Sequence, residues 1–322
     1  MQLPKKVTIV EVCPRDGFQA EAEFIPTASK IALIDALSLT GLRRIEVTSF
    51  VHTKAVPQLS DAAEVVCGIK HRKDVRFRVL VPNLIGAQKA IDNGVEEIVF
   101  VLSASEAHNQ NNVRRTIKES IKEFQSIIKY VQKNKSCTID ATIATAFGCP
   151  FAGKTTKEKS IELAKELMDM GAGEIILADT TGMANPVDVM ELVEFLRKDI
   201  PVSKLAVHFH NTRGIGLANV LSALQCGIST IESSVGGMGG CPFAPGATGN
   251  IATEDLVNML EEMGISTDVD LLNLINCAKM VEQAVRKTLP GQVMKAGRTR
   301  DLHPMPKTNL NVTDSAKLKQ QL

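Results

Sequence analysis

A chain of 322 residues and 34.8 kDa is long enough for one large core, and its 44% hydrophobic and 23% charged residues are those of an ordinary soluble domain. Lys+Arg 37 against Asp+Glu 36 leave a formal charge of +1, which argues against a general nucleic-acid surface, and Trp 0 with Tyr 1 leave little for base stacking. No run approaches the roughly 20 apolar residues that cross a bilayer, MQLPKKVTIVEV lacks a signal-peptide core, and seven irregularly spaced cysteines form no C-x-x-C pair. Reduced thiols in a cytoplasmic protein are the expectation, with no membrane and no nucleic-acid partner.

Along the chain, strand and helix patterns alternate. VTIVEV (7–12) predicts a buried strand and ASKIALIDALSLTG (28–41) a helix ended by Gly41. RRIEVTSF (43–50) is strand two, with a short helix near 60–70; VRFRVLVP (75–82) is strand three, followed by the helix LIGAQKAIDNG. EEIVFVLSAS (96–105) predicts strand four and a long helix follows from about 112 to 134. SCTIDATIATAF (136–147) and GEIILAD (173–179) are strands five and six, with TKEKSIELAKELMDMG (156–171) between them and NPVDVMELVEFLRKD after them. SKLAVHFH (203–210) and STIESSVG (229–236) complete the set, each followed by an amphipathic helix.

Eight such units predict an α/β fold, a closed (β/α)8 TIM barrel with additional C-terminal helices, the last being DVDLLNLINCAKMVEQAVRKTL (268–289). A doubly wound open sheet is the competitor, but no G-x-G-x-x-G follows strand one. Residues 1–290 are expected to be a single domain, and 291–322, with Pro304 and Pro306, a loosely ordered tail.

Four residues far apart in sequence fall where barrel strands should end. Asp16 closes the first unit's strand, His208 and His210 finish the seventh, and Asn250 follows the glycine-rich GGMGGCPFAPGATGN. Alternate strand residues face one side, so the two imidazoles can point together while Phe209 packs behind them. A carboxylate, two imidazoles and an amide oxygen suit an octahedral cation, Mg2+ or Mn2+, better than structural zinc. The spacing alone also allows two histidines bonded to neighbours at a barrel mouth.

Arg15 can neutralise oxyanion charge beside Asp16 if the Gly17 turn presents both, or the two can form a structural ion pair. Glu46 and Asp179 can orient water around a cation or cap loops. Cys241 lies in a glycine-rich stretch able to close over substrate, where a thiol can exchange protons or sit inert.

EVCPRDGFQ, RRIEVTSFV, LAVHFHNTRG and SSVGGMGGCPFAPGATGNIATEDLVNML together resemble the segments of the 3-hydroxy-3-methylglutaryl-CoA lyase family, within the metal-dependent DRE-type TIM-barrel lyases, over about residues 7–290. The resemblance implies divalent-cation ligands at Asp16, His208, His210 and Asn250. It gives Arg15 the thioester carbonyl and its enolate, Cys241 proton transfer, Glu46 and Asp179 supporting acid roles, and His208 a share of the proton traffic. It implies retro-aldol cleavage of an acyl-CoA substrate to acetyl-CoA and acetoacetate, and a homodimer.

Several residues depart from the family's common pattern, among them Phe18 for leucine and Ala20 for asparagine. Cys13 stands where the family commonly has glycine, Ala55 for tryptophan, Asn211 for aspartate and Arg213 for tyrosine. Arg213 thereby becomes a candidate clamp for a substrate carboxylate, or a structural pair. Cleavage of citramalyl-CoA or another branched 3-hydroxyacyl-CoA, and a non-catalytic acyl-CoA-binding protein, are the competing functions.

Overall fold

The structure is a computed structural model and describes residues 3–134, 137–240 and 249–302. Eight strands form the expected barrel: β1 (Thr8–Glu11), β2 (Arg44–Ser49), β3 (Arg76–Val81), β4 (Glu97–Ser103), β5 (Thr138–Ala144), β6 (Ile175–Asp179), β7 (Leu205–Phe209) and β8 (Thr230–Ser233). All neighbours are parallel, and β8 closes on β1 with Thr8 opposite Thr230. Around it lie α1 (Thr27–Leu37), α2 (Ala62–Gly68), α3 (Leu84–Asp92), α4 (Glu106–Val113), α5 (Ile117–Asn134), α6 (Lys157–Met170), α7 (Pro186–Leu196), α8 (Gly216–Gln225) and α9 (Thr253–Glu262). The expected C-terminal addition is α10 (Leu271–Val285), which packs on α1 and α9; a short α11 (Val293–Ala296), in the stretch expected to be a loose tail, packs on α9 and α10. No helix among the described residues is long and apolar enough to cross a membrane.

The helices form where the sequence places both an apolar stripe and a stop. In α6, Ser160, Leu163, Ala164 and Leu167 make the buried stripe, Thr156 caps the start by accepting from Lys159 N–H, and Gly171 ends it at φ 111°. Pro186 opens α7 behind Asn185, whose side chain accepts from Val187 and Asp188 N–H. The long helix expected over 112–134 begins later, as α5 at Ile117, and α4 before it was not expected. Arg114 turns left-handed at φ 55°, and Thr116 and Glu119 then exchange hydrogen bonds in a capping box that restarts the chain as α5. Strand five is likewise shorter than expected, because Thr145 leaves the strand at φ 53°.

The main apolar core lies between the strands and the helices, while Val99, Ile176 and Ala206 form a separate small cluster. Charged side chains share the barrel's interior with them, in place of the usual layers of branched apolar residues. Arg44 of β2 reaches Glu97 of β4 at 2.6 Å, Asp140 of β5 at 2.7 Å and Glu174 at 2.8 Å. Arg78 of β3 contacts Glu232 of β8, with β1 and β2 between them around the barrel, which only inward-pointing side chains can do.

Beneath the Val235–Gly237 turn, Glu254 Oε2 accepts from Gly236 N–H while its Oε1 has no hydrogen-bond partner. Burial pushes this carboxyl up to about 8, so the folded chain keeps a proton that the unfolded chain loses near its ordinary 4.5. Between those two values the folded state binds more protons, and stability falls as pH rises. Glu254→Gln is therefore expected to melt about 2–4 °C above the parent at pH 8, with the gap closing towards pH 5 in a calorimetric series. A gap independent of pH would show that the carboxyl is not the cause.

Candidate active site

The residues expected to act together meet at the C-terminal mouth. Between β1 and α1 the chain makes a wide turn over Cys13–Gly17: Gly17 N–H reaches Val12 C=O at 3.4 Å and Phe18 N–H reaches Cys13 C=O at 3.1 Å, both five residues back. This turn resolves how two adjacent side chains share one pocket. Arg15 Nη1 donates to Asp16 Oδ1 at 2.5 Å, and both residues are buried. Arg15 Nε donates to Glu46 Oε1. Its Nη2 makes no hydrogen bond among the described residues.

His208 and His210 lie on one face with ring centroids 5.1 Å apart. Asn250 is brought beside them by backbone pairing: Asn211 N–H donates to Gly249 C=O at 2.8 Å and Ile251 N–H to Phe209 C=O at 3.1 Å. Asn250 Nδ2 then donates to Asp16 Oδ2 at 2.7 Å and to Met238 C=O at 2.9 Å. Gly239, at φ 108°, passes so close that a Cβ there would sit 2.5 Å from Asn250 Nδ2. Glycine is required at that position by both backbone angle and space.

Ligand atoms of Asp16, His208 and His210 lie within 4.8 Å of one another. Several observations fit this set to a divalent cation. Asn250 Oδ1 and His210 Nδ1 are buried without hydrogen-bond partners, an expensive state unless something else takes them up. Glu232 Oε2 accepts from His208 Nδ1 at 3.0 Å, which leaves Nε2 as the nitrogen a cation would take; burial opposes charge on this ring, but Glu232 and then Asp16 raise its proton affinity above the ordinary value. Burial first, then the neighbouring His208, pushes His210 down to about 4, keeping it neutral with a lone pair to give. Burial opposes charge on Asp16, but Arg15 and the two imidazoles hold its carboxyl below the ordinary range.

Asp179 ends β6. Its Oδ1 accepts from Met183 N–H at 2.7 Å and Ala184 N–H at 3.1 Å, while Oδ2 is buried without a partner. Burial pushes its carboxyl up to about 6 despite those two bonds. Arg213 is exposed, and its Nη1 donates to the carbonyls of Thr181 at 3.1 Å and Gly182 at 2.7 Å, clipping the loop after β6 to the loop after β7. Cys241 lies outside the described residues.

Sequence reading missed two residues, Arg78 and Glu232. Glu232 holds His208, and Arg78 Nη2 sits between Glu232 and Glu46, 2.9 Å from Glu46 Oε2. Their signal was a charged residue inside an apolar strand, in RFRVLV and TIES, at a position where alternation turns it inward.

The same architecture recurs in known proteins. The chain is 45% identical to hydroxymethylglutaryl-CoA lyase YngG of Bacillus subtilis, over 91% of this chain and 97% of that one. It is 43% identical to the human mitochondrial hydroxymethylglutaryl-CoA lyase, over 91% and 90%. A solved HMG-CoA lyase from Acinetobacter baumannii, in complex with coenzyme A and 3-methylmalate, superposes with a TM-score of 0.91 at 45% identity, covering 95% of this chain and 100% of that one. The HMGL-like family model matches residues 6–281, and with that match and these relatives the chain belongs to the HMGL-like family.

Proposed function

We propose that the protein is a carbon–carbon lyase that cleaves 3-hydroxy-3-methylglutaryl-CoA to acetyl-CoA and acetoacetate, using Mg2+ or Mn2+. The observation that carries the reading is the mouth cluster: Asp16, His208 and His210 with ligand atoms within 4.8 Å, the orphaned amide oxygen of Asn250, and the charged Arg15 beside them. The lyase names of relatives at 43–45% identity support the same chemistry.

In the substrate a tertiary alcohol lies β to a thioester. Loss of the hydroxyl proton lets the C2–C3 bond break, its electron pair passing to C2 and the thioester oxygen while C3 becomes the ketone of acetoacetate. Asp16, His208, His210 and Asn250 would hold the cation, which supplies Lewis acidity to the substrate's hydroxyl end. Arg15 has one unused nitrogen for the thioester oxygen, and Glu46 fixes the guanidinium's other edge. Asp179 Oδ2 offers a proton acceptor whose affinity lies near neutrality, and His208 stands beside the same path. Cys241 is assigned protonation of C2 from the glycine-rich loop, completing acetyl-CoA.

Incubating the metal-reconstituted protein with the thioester and identifying products by mass tests this directly. Unchanged substrate with both Mg2+ and Mn2+ would overturn it; rapid cleavage of citramalyl-CoA in its place would reverse the substrate assignment. Arg213 is the proposed distal-carboxylate clamp, acting through nitrogens other than Nη1. Arg213→Ala is expected to lower kcat/KM for the dicarboxylic thioester about tenfold more than for its matched monoester. An unchanged ratio, with metal occupancy checked, would end the clamp role.

A homodimer in the cytoplasm completes the reading, testable by light scattering and fractionation. Among relatives, the mouse lyase is named cytoplasmic and the human one above mitochondrial.

A further inference from the structure

Arg78 takes no part in the chemistry above, yet it is the largest fully buried side chain among the described residues. Its Nη2 lies 2.9 Å from Glu46 Oε2 and donates to Glu232 Oε1. Each carboxylate spends its other oxygen on the mouth: Glu46 Oε1 accepts from Arg15 Nε, and Glu232 Oε2 pairs with His208 Nδ1 at 3.0 Å. One nitrogen below the pocket thus joins the residue assigned to the thioester oxygen to a residue assigned to the cation. The bond to Glu232 Oε1 fixes that carboxylate's rotation and so places its Oε2, while at Glu46 Oε2 the same nitrogen makes an ion pair that is not a hydrogen bond. The two arms start from the turn after β1 and from β7, strands separated by β8, and no shorter hydrogen-bonded connection between Arg15 and His208 is made below the mouth among the described residues.

We propose that Arg78 is a positioning residue that sets the placement of Arg15 against His208. The proposal rests on the metal-dependent reading of the mouth and deepens it. A core arginine that merely neutralised two acids would matter for folding alone, whereas a positioning residue must also affect what the mouth binds.

The experiment measures Mn2+ affinity calorimetrically, well below each melting temperature, together with kcat and KM, for the parent, Arg78→Met, Glu232→Gln and the double variant. Arg78→Met is expected to weaken Mn2+ binding about 10–100-fold and to lower kcat rather than raise KM. The double variant is expected to match the worse single one, because both substitutions break one chain of contacts. Parent-like Mn2+ affinity in a folded Arg78→Met protein, or additive losses in the double variant, would overturn the proposal. If the methionine variant does not fold, Arg78→Lys keeps the charge that the two acids need, but its shorter side chain ends before the point where Nη2 meets both of them. It should still weaken Mn2+ binding severalfold, and parent-like affinity there overturns the proposal equally. A parent that binds no Mn2+ overturns the metal reading and this proposal together. A parent that binds Mn2+ but leaves the thioester intact overturns only the substrate, since the Mn2+ comparison still decides for or against Arg78.

Discussion

Replacing Asp16 with asparagine is expected to reduce acetyl-CoA formation by at least about 10²-fold, the scale on which a single transition-state contact acts, while the barrel stays folded. The substitution keeps the side chain's size but removes the charge that Arg15 meets at 2.5 Å and that sits 3.9 Å from His210 Nε2. It also sets an amide against Asn250 Nδ2, where the carboxylate now accepts at 2.7 Å. Mn2+ titration should show the loss independently of turnover, and circular dichroism should show the fold retained. His210→Ala and Cys241→Ala are expected to lose most product formation too, the first with the cation and the second without losing it. Parent activity in any of the three removes that residue from the mechanism.

Arg44→Met is expected to act on stability instead. Arg44 is the common partner of Glu97, Asp140 and Glu174 at the floor of the barrel, and its removal leaves three acids with no cation at that point. Breaking a buried pair from one side costs about 3–5 kcal/mol, or roughly 10 °C of melting temperature in a domain of this class. Burial, with Glu97 and Glu174 adding to it, already pushes Asp140 up to about 7 against the pull of Arg44. Without Arg44 the acids take up protons more readily, so the deficit should be largest at pH 8 and shrink towards pH 5. Melting curves across that range check both parts, and a deficit that grew on acidification would contradict the account.

The barrel was legible because its units are: eight apolar runs, each followed by a helical stripe, leave few other closed arrangements. The mouth was legible in outline because His208 and His210 fall at the end of β7 and Asp16 and Asn250 in the segments that follow β1 and β8, and the structure gathers the four together. Arg78 and Glu232 escaped for a physical reason: a charge inside a strand is read as an exposed face unless its distant partner is known, and Glu232 is 154 residues from Arg78. α4 escaped because it has no apolar stripe, its buried residues being His108 and Asn109, and only the Thr116–Glu119 box marks where α5 begins. The spatial meeting of Arg15 and Asp16 needed the backbone of Cys13–Gly17, which no periodicity describes.

That backbone makes the site sensitive to length as well as to composition. A turn whose N–H groups reach back five residues holds one residue more than a turn reaching back four. Shortening it by a single residue would leave every strand pairing of β1 in place, since these end at Glu11. It would rotate Arg15 and Asp16 apart all the same. An insertion or deletion of one codon outside the sheet can therefore separate the guanidinium from the carboxylate in a barrel that folds as before. Among proteins sharing this architecture, the count of residues between the first strand and the first glycine becomes a marker for which barrels can assemble such a pair.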